Sequence, residues 1–452
     1  MNHKSRITVK EKERIIPKGI LLPFALITSL FFLWGLANNM TDTLLAAFKR
    51  IMSMTDSRTA LIQISCYGLG YFIFAFPAAL YIKKYSYKSG ILLGLGLYLI
   101  GCFLFFPAKL TGNYFHFLGA LWILFGGLSI LETAANPYII SMGPEETGTR
   151  RLNFAQSFNP IGSITGVFLS QVFILSSLNK AGASERALMS ADQLRLIQSH
   201  ELNAVTMTYV SIGALLLGLW MVIYFVKMPR TADASGKIDL GPTLKRLVKN
   251  KNYTMGVIAQ FFYVGAQIGI WSFTIRYAMQ ELRLEEITLP EGKTAEQIAA
   301  NYYIASLILF VISRFICTGL MKYIRPARLL SFMAFLAITL TLVVVFVGGR
   351  VGVYSLVGIS GCMSLMFPTI FGLSVKGLGE DTKIAGSGQI MAIVGGAIIT
   401  QLQGLVSTSV DNVRGNVSFN LPGGINMAYL VPLCCFLFIA YYAFKEAVKV
   451  TV

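Results

Sequence analysis

Charge is scarce along these 452 residues: 13% are Asp, Glu, Lys or Arg, against 55% hydrophobic, and the mean hydropathy is +0.65. A soluble domain with a polar surface cannot be built from that composition, so lipid is the expected solvent. Acids are scarcer than bases, 21 against 38. The resulting +17 does not gather on one basic face, which argues against a nucleic-acid partner and for a topological role. Cysteine occurs six times (Cys66, Cys102, Cys317, Cys362, Cys434, Cys435), each time inside an apolar stretch, unlike a disulfide framework or zinc-ligand spacing. The three histidines, His3, His116 and His200, sit in the tail, near a helix entrance and in a polar loop, so none reads as a metal ligand or catalytic base. No phosphate-binding glycine loop with its lysine and no nucleophile constellation is present, so neither an enzyme nor an ATP-driven pump is expected, and no cofactor or metal.

What is abundant is long apolar runs. A spanning helix needs about 20 mainly apolar residues, because only bonds within the segment satisfy the backbone where water is absent. Hydropathy predicts twelve spans: 19 to 48, 58 to 82, 90 to 108, 115 to 141, 153 to 178, 204 to 227, 254 to 280, 298 to 321, 329 to 348, 351 to 376, 386 to 409 and 425 to 445. The first follows a basic tail, Lys4 to Lys18, and lacks a small-residue cleavage site, so it reads as an uncleaved span rather than a secretory signal. An even count puts both tails on one side. With that count the loops predicted to face the cytoplasm sum to +16 and the external loops to +1, in line with the positive-inside rule.

The connection after the sixth span, residues 228–253, is long, polar and basic, and divides the chain into a tail (1–18), a first six-helix half (19–227) and a second half (254–452). Adding 235 maps Gly126 onto Gly361, Ser129 onto Ser364, Glu145 onto Glu380, Glu146 onto Asp381 and Thr147 onto Thr382, a repeat linking spans four and ten. Six helices per half preserve orientation, so the repeats are parallel, which is the arrangement of major facilitator transporters: an all-α membrane fold of twelve helices. The 42 glycines suit helices that pack closely and rock.

Acids inside spans are functional candidates because an unpaired carboxylate in hydrocarbon is costly. There are two, Asp42 and Glu132. Asn38 and Asn39 lie four and three residues before Asp42, on its helical face, and argue for a polar cavity rather than a wetted helix end. Glu132 lies nine residues before the end of its span, ~13 Å deep at 1.5 Å per residue. Asn136 shares its face and Pro137 weakens the helix beside it. Desolvation of such a carboxyl opposes its charged form, which suits it to exchange a proton; a buried ion pair is the structural alternative, yet the available cations, Arg276 and Arg314, belong to the other half.

Two polar stripes accompany the acids. Asn153, Gln156 and Asn159 recur every third residue at the start of span five, where amides serve either sugar hydroxyls or interhelical packing. Gln260, Tyr263, Gln267 and Trp271 share one face of span seven, and amides beside aromatic rings suit a pyranose, which offers hydroxyl edges and an apolar face. Asn301, Tyr302 and Tyr303 at the entrance of span eight read as interfacial belt residues and stay outside the site. Arg314 reads as a snorkelling side chain, with a latch to Glu380 or Asp381 as the alternative.

Phe31-Phe32-Leu33-Trp34-Gly35 with Asn38-Asn39 and Asp42, Leu131-Glu132-Thr133-Ala134-Ala135-Asn136-Pro137, and Arg151-Leu152-Asn153-Phe154-Ala155-Gln156 together resemble the L-fucose:proton symporter family of the major facilitator superfamily. Gln260-Phe261-Phe262-Tyr263-Val264-Gly265-Ala266-Gln267, Ile275-Arg276-Tyr277-Ala278, Pro368-Thr369-Ile370-Phe371 and Gly379-Glu380-Asp381-Thr382-Lys383 extend the resemblance along the chain. It implies alternating access around a central cavity, with Asp42 and Glu132 matching the family's proton-linked acids. It also implies import of a monosaccharide, fucose or another hexose, driven by protons. Gly388 and Gln389, opening span eleven, depart from the larger apolar residues expected there. The expected product is a multi-pass monomer of a bacterial inner membrane, working in a lipid bilayer. A proton-driven exporter of the same fold and a non-transporting sugar sensor are the competing readings; the first should show apolar rather than amide lining, the second an attached signalling domain.

Overall fold

Several apolar runs begin or end where the sequence supplies a cap. In a computed structural model, which describes residues 15–17, 19–52, 70–179, 185–186, 188–229, 239–284, 295–414 and 423–449, the Ser86 hydroxyl accepts from the Ser89 N–H to start span three. Gly112, at φ +62°, stops that span in the left-handed region, and Asn113 immediately caps span four. Ser190 and Gln193 form a reciprocal capping box at the start of span six.

Eleven helical stretches among the described residues are long and apolar enough to cross a membrane: Leu21–Met40, Tyr87–Thr111, Tyr114–Ser141, Glu145–Ile174, Asp192–Phe225, Lys251–Glu281, Ala295–Leu320, Pro326–Phe346, Gly349–Ser374, Gly379–Asn412 and Gly424–Lys449. The remaining one, span two, is described as Tyr71–Lys84; residues 53–69 lie outside the described set. Every predicted span therefore has a helix on it, and no strand occurs among the described residues.

The packing repeats. Span one lies on span five, three on four and six, and two on four; in the second half, seven lies on eleven, nine on ten and twelve, and eight on ten. Both halves use the same close approach. A Cβ at Gly162 would stand 1.9 Å from the Phe32 carbonyl oxygen, and one at Gly395 would stand 2.1 Å from that of Phe261. Gly126 meets Phe74 of span two, while its counterpart Gly361 meets Leu309 and Ser313 of span eight.

The chain forms two compact units, and two short segments are exchanged between the halves. The first unit holds the described residues through Pro144, Phe158–Leu240 and also Glu380–Met391 from the start of span eleven. The second holds Gly241–Gly379, Ala392 onward and also Glu145–Ser157 from the start of span five. Both exchanged segments begin in a 3-10 turn, Glu145–Thr147 and Gly379–Asp381, within one residue of the register of the 235-residue repeat. Thr382–Met391 packs on spans two and four, and Gly148–Gln156 packs on spans eight and ten. At the end bearing the basic loops, each half is thus held by a piece of the other.

The opposite end of the first unit is fastened by a buried ion pair. Arg186 and Glu201 are 2% and 1% exposed, Arg186 Nη1 donates to Glu201 Oε2 at 2.9 Å, and the Asn179 N–H donates to Glu201 Oε1 at 2.8 Å. Removing one partner strands the other charge, so Arg186→Ala is expected to cost about 3–5 kcal/mol. Thermal melting of the purified protein checks this, with the joint change of Arg186 and Glu201 to apolar residues recovering most of the loss.

Candidate functional site

Span four carries Glu132 into the first unit beside a local weakness. Pro137 has no N–H to return to the Thr133 carbonyl, and the polar side chains around it bond back along their own helix: Thr133 Oγ1 donates to the Ser129 carbonyl at 2.8 Å and Asn136 Nδ2 to that of Glu132 at 2.9 Å. Glu132 itself is 3% exposed, Oε1 has no hydrogen-bond partner, and no cation pairs with it among the described residues.

What faces the carboxyl comes from two other spans. The Trp34 indole N–H of span one donates to the Tyr71 hydroxyl of span two, and both groups are hydrogen-bonding neighbours of Glu132. Asn38, one turn beyond Trp34, is a further neighbour of Tyr71. Ser129 fixes the approach by donating to the Tyr71 carbonyl at 3.0 Å. The structural alternative raised for Glu132, a buried ion pair, is not what surrounds it. Two neutral polar groups, the Trp34 indole and the Tyr71 hydroxyl, are.

Of the remaining predicted residues in span one, Asn39 bonds the Gly35 carbonyl at 3.2 Å, while the side chain of Asp42 lies outside the described residues. In span five, Asn153 Nδ2 donates to the Thr149 carbonyl at 2.9 Å and to Thr369 Oγ1 of span ten at 3.1 Å. Asn159 Nδ2 donates to the Phe31 carbonyl at 3.2 Å. Those two amides spend donors on helix packing, one of the two uses the sequence left open. Gln156 is 2% exposed and sits on the last turn before the span breaks.

In span seven, Gln260 is fully buried and neither amide atom has a partner among the described residues. Such a group costs free energy unless something bonds it. The Tyr263 hydroxyl donates to the Met363 carbonyl at 3.1 Å, so its ring rather than its hydroxyl is what it offers. Trp271 is half-buried, donates to Ser360 Oγ at 3.1 Å and meets Phe310 edge to face at 5.1 Å, and Gln267 is partly exposed.

The sequence reading missed Tyr71, Gln389 and the role of Arg314. Tyr71 lies in an apolar run where a tyrosine signals only an interface. Gln389, noted as a departure, is fully buried in the first unit with neither amide atom partnered among the described residues, and Gln156 is buried in the second. Arg314 does not snorkel: it is 3% exposed, lies over the Phe310 ring at 4.6 Å, donates from Nη1 to the Gln156 carbonyl at 3.0 Å and from Nε to that of Ser364. Two helix breaks hold it there. Arg276, by contrast, is exposed.

Among the described residues, helices with recurring partners, buried polar groups and short segments exchanged at one end describe a transporter fold, and a family model, Major Facilitator Superfamily, matches residues 21–400. The chain belongs to the major facilitator superfamily. Within that superfamily it is 42% identical to the L-fucose-proton symporter of Haemophilus influenzae, over 96% of this chain and 98% of that one. It is 33% identical to the glucose/galactose transporter of Brucella abortus, over 92% of each. Among solved structures it superposes on the major facilitator transporter FucP in the outward conformation with a TM-score of 0.83 and 39% identity, covering 94% of this chain and 99% of that one. The chain is a multi-pass membrane transporter and not an enzyme.

Proposed function

We propose that this chain is a proton-coupled monosaccharide symporter that imports L-fucose or a related hexose by alternating access. The observation that carries the reading is Glu132, a carboxyl sealed beside Trp34 and Tyr71 with no cation among the described residues, in a chain that matches fucose-proton symporters over nearly its whole length. An ionised carboxylate is costly without water or a counter-ion. Such a group carries charge only while one face of the membrane wets it and is neutral while it is sealed, so proton loading and the exchange of faces are linked.

In this reading Asp42 and Glu132 hand on the proton, and Asn38, Asn39, Asn136, Gln156, Asn159, Gln260, Tyr263, Gln267 and Trp271 receive the sugar. Gln260 supports its assignment best, because a sugar hydroxyl would supply the partners its amide lacks. The halves 19–227 and 254–452 move about the 228–253 linker. The excess of basic residues in the loops of one side supports cytoplasmic termini and a bacterial inner membrane, and a monomer in lipid is the working form in this reading.

Counterflow in proteoliposomes tests the substrate. Labelled L-fucose, D-glucose and D-galactose are each exchanged against excess unlabelled sugar, and at least one should accumulate transiently. No exchange of any of the three refutes the reading.

A further inference from the structure

Spans five and ten each carry a proline whose missing N–H orphans the carbonyl four residues earlier. Pro160 orphans Gln156, and Pro368 orphans Ser364. Those two carbonyls are the ones that Arg314 bonds. The helices stop there, Gly148–Gln156 on one side and Gly349–Met363 on the other, so the guanidinium sits at two C-terminal ends, where the helix dipole favours a cation. Its planar fork reaches two acceptors on different spans, which a lysine cannot do.

The two acceptors belong to different halves. Ser364 shares the second half with Arg314, whereas Gln156 arrives on the exchanged segment of the first. Gln156 is also a candidate sugar-binding residue, and Arg314 stacks on Phe310, which in turn meets Trp271. We infer that Arg314 is a positioning residue for transport: it replaces the two N–H groups removed by Pro160 and Pro368, sets the Gln156 backbone, and releases that carbonyl whenever the basic-loop end opens. This rests on the chain being a sugar symporter, yet one arm of its test does not.

A purely structural arginine and a positioning one differ under rescue. P160A and P368A return a helix's own donor to each orphaned carbonyl, so they repair the hydrogen bonding of R314Q without restoring any link between halves. Three quantities are read on the full chain: thermal melting, the Vmax and KM of sugar counterflow, and alkylation by maleimide of the native Cys317, which is 1% exposed and three residues from Arg314. Loss of a hydrogen bond from a charged donor corresponds to about tenfold or more.

R314Q should alkylate at Cys317 about tenfold faster than the parent and lose about tenfold in Vmax. R314Q with P160A and P368A should regain the melting temperature but neither the slow alkylation nor the Vmax. R314K, should R314Q fail to fold, should lie between. Recovery of all three readouts by the proline changes would reduce Arg314 to a structural role, and unchanged alkylation in R314Q and R314K would remove the latch. Alkylation needs no sugar, so a faster rate with no counterflow in the parent chain would refute the symporter reading and leave the latch standing.

Discussion

Glu132→Gln is expected to abolish uphill sugar accumulation while leaving downhill counterflow within a few-fold of the parent. The amide keeps the size of the neutral acid and stays able to hydrogen-bond Trp34 and Tyr71, so the sealed state is preserved. What it lacks is a proton to gain or lose. For one proton per sugar, one unit of pH difference is worth about 1.4 kcal/mol, which corresponds to roughly tenfold accumulation. Proteoliposomes with an acidic exterior should therefore reach that ratio with the parent chain and a ratio near one with the variant. A variant that still accumulates sugar removes Glu132 from the coupling.

The second large effect is on the fold. Gly162→Val should leave almost no folded protein in the membrane, because its new Cβ would stand 1.9 Å from the Phe32 carbonyl oxygen and 2.7 Å from its carbon. Those atoms are backbone and cannot turn aside. Spans one and five would have to separate, and with them Trp34 and Asn38 would leave Tyr71 and Glu132. Ordinary overpacking costs about 1–3 kcal/mol, but parting two helices along their length exceeds the stability of ~5–15 kcal/mol that a folded domain holds in reserve. Gly395→Val repeats the lesion against Phe261 in the second half. Gly119→Val and Gly218→Val, with nothing among the described residues within 4 Å of the added Cβ, should leave yield unchanged. Size-exclusion chromatography of detergent extracts separates these outcomes.

Much of this was legible in the chain. Span existence follows from hydropathy, and the helices observed at Lys251–Glu281 and Pro326–Phe346 begin and end within a few residues of the runs predicted at 254 to 280 and 329 to 348. Glu132 stood out for a physical reason: an acid is conspicuous in oil. Its partners did not, because Trp34 and Tyr71 become polar groups only when their spans meet, and one tyrosine in an apolar run looks like any other. Arg314 was visible as a charge but not as a ligand of two carbonyls. Its meaning needed Pro160 and Pro368, because the carbonyls they leave without a helix donor, Gln156 and Ser364, lie 158 and 50 residues from Arg314. The amides of Asn153 and Asn159 show the converse, since spacing could not separate a sugar ligand from helix packing, and contacts with Thr369 and Phe31 show where their donors go.

The most direct trial of the account is to watch the proton itself. Proteoliposomes enclosing a pH-sensitive dye and holding no imposed gradient are given external sugar; the account predicts internal acidification that follows sugar entry in the parent chain and is lost in Glu132→Gln. Sugar entry with no accompanying change of internal pH in the parent, or the same acidification in the variant, would contradict it.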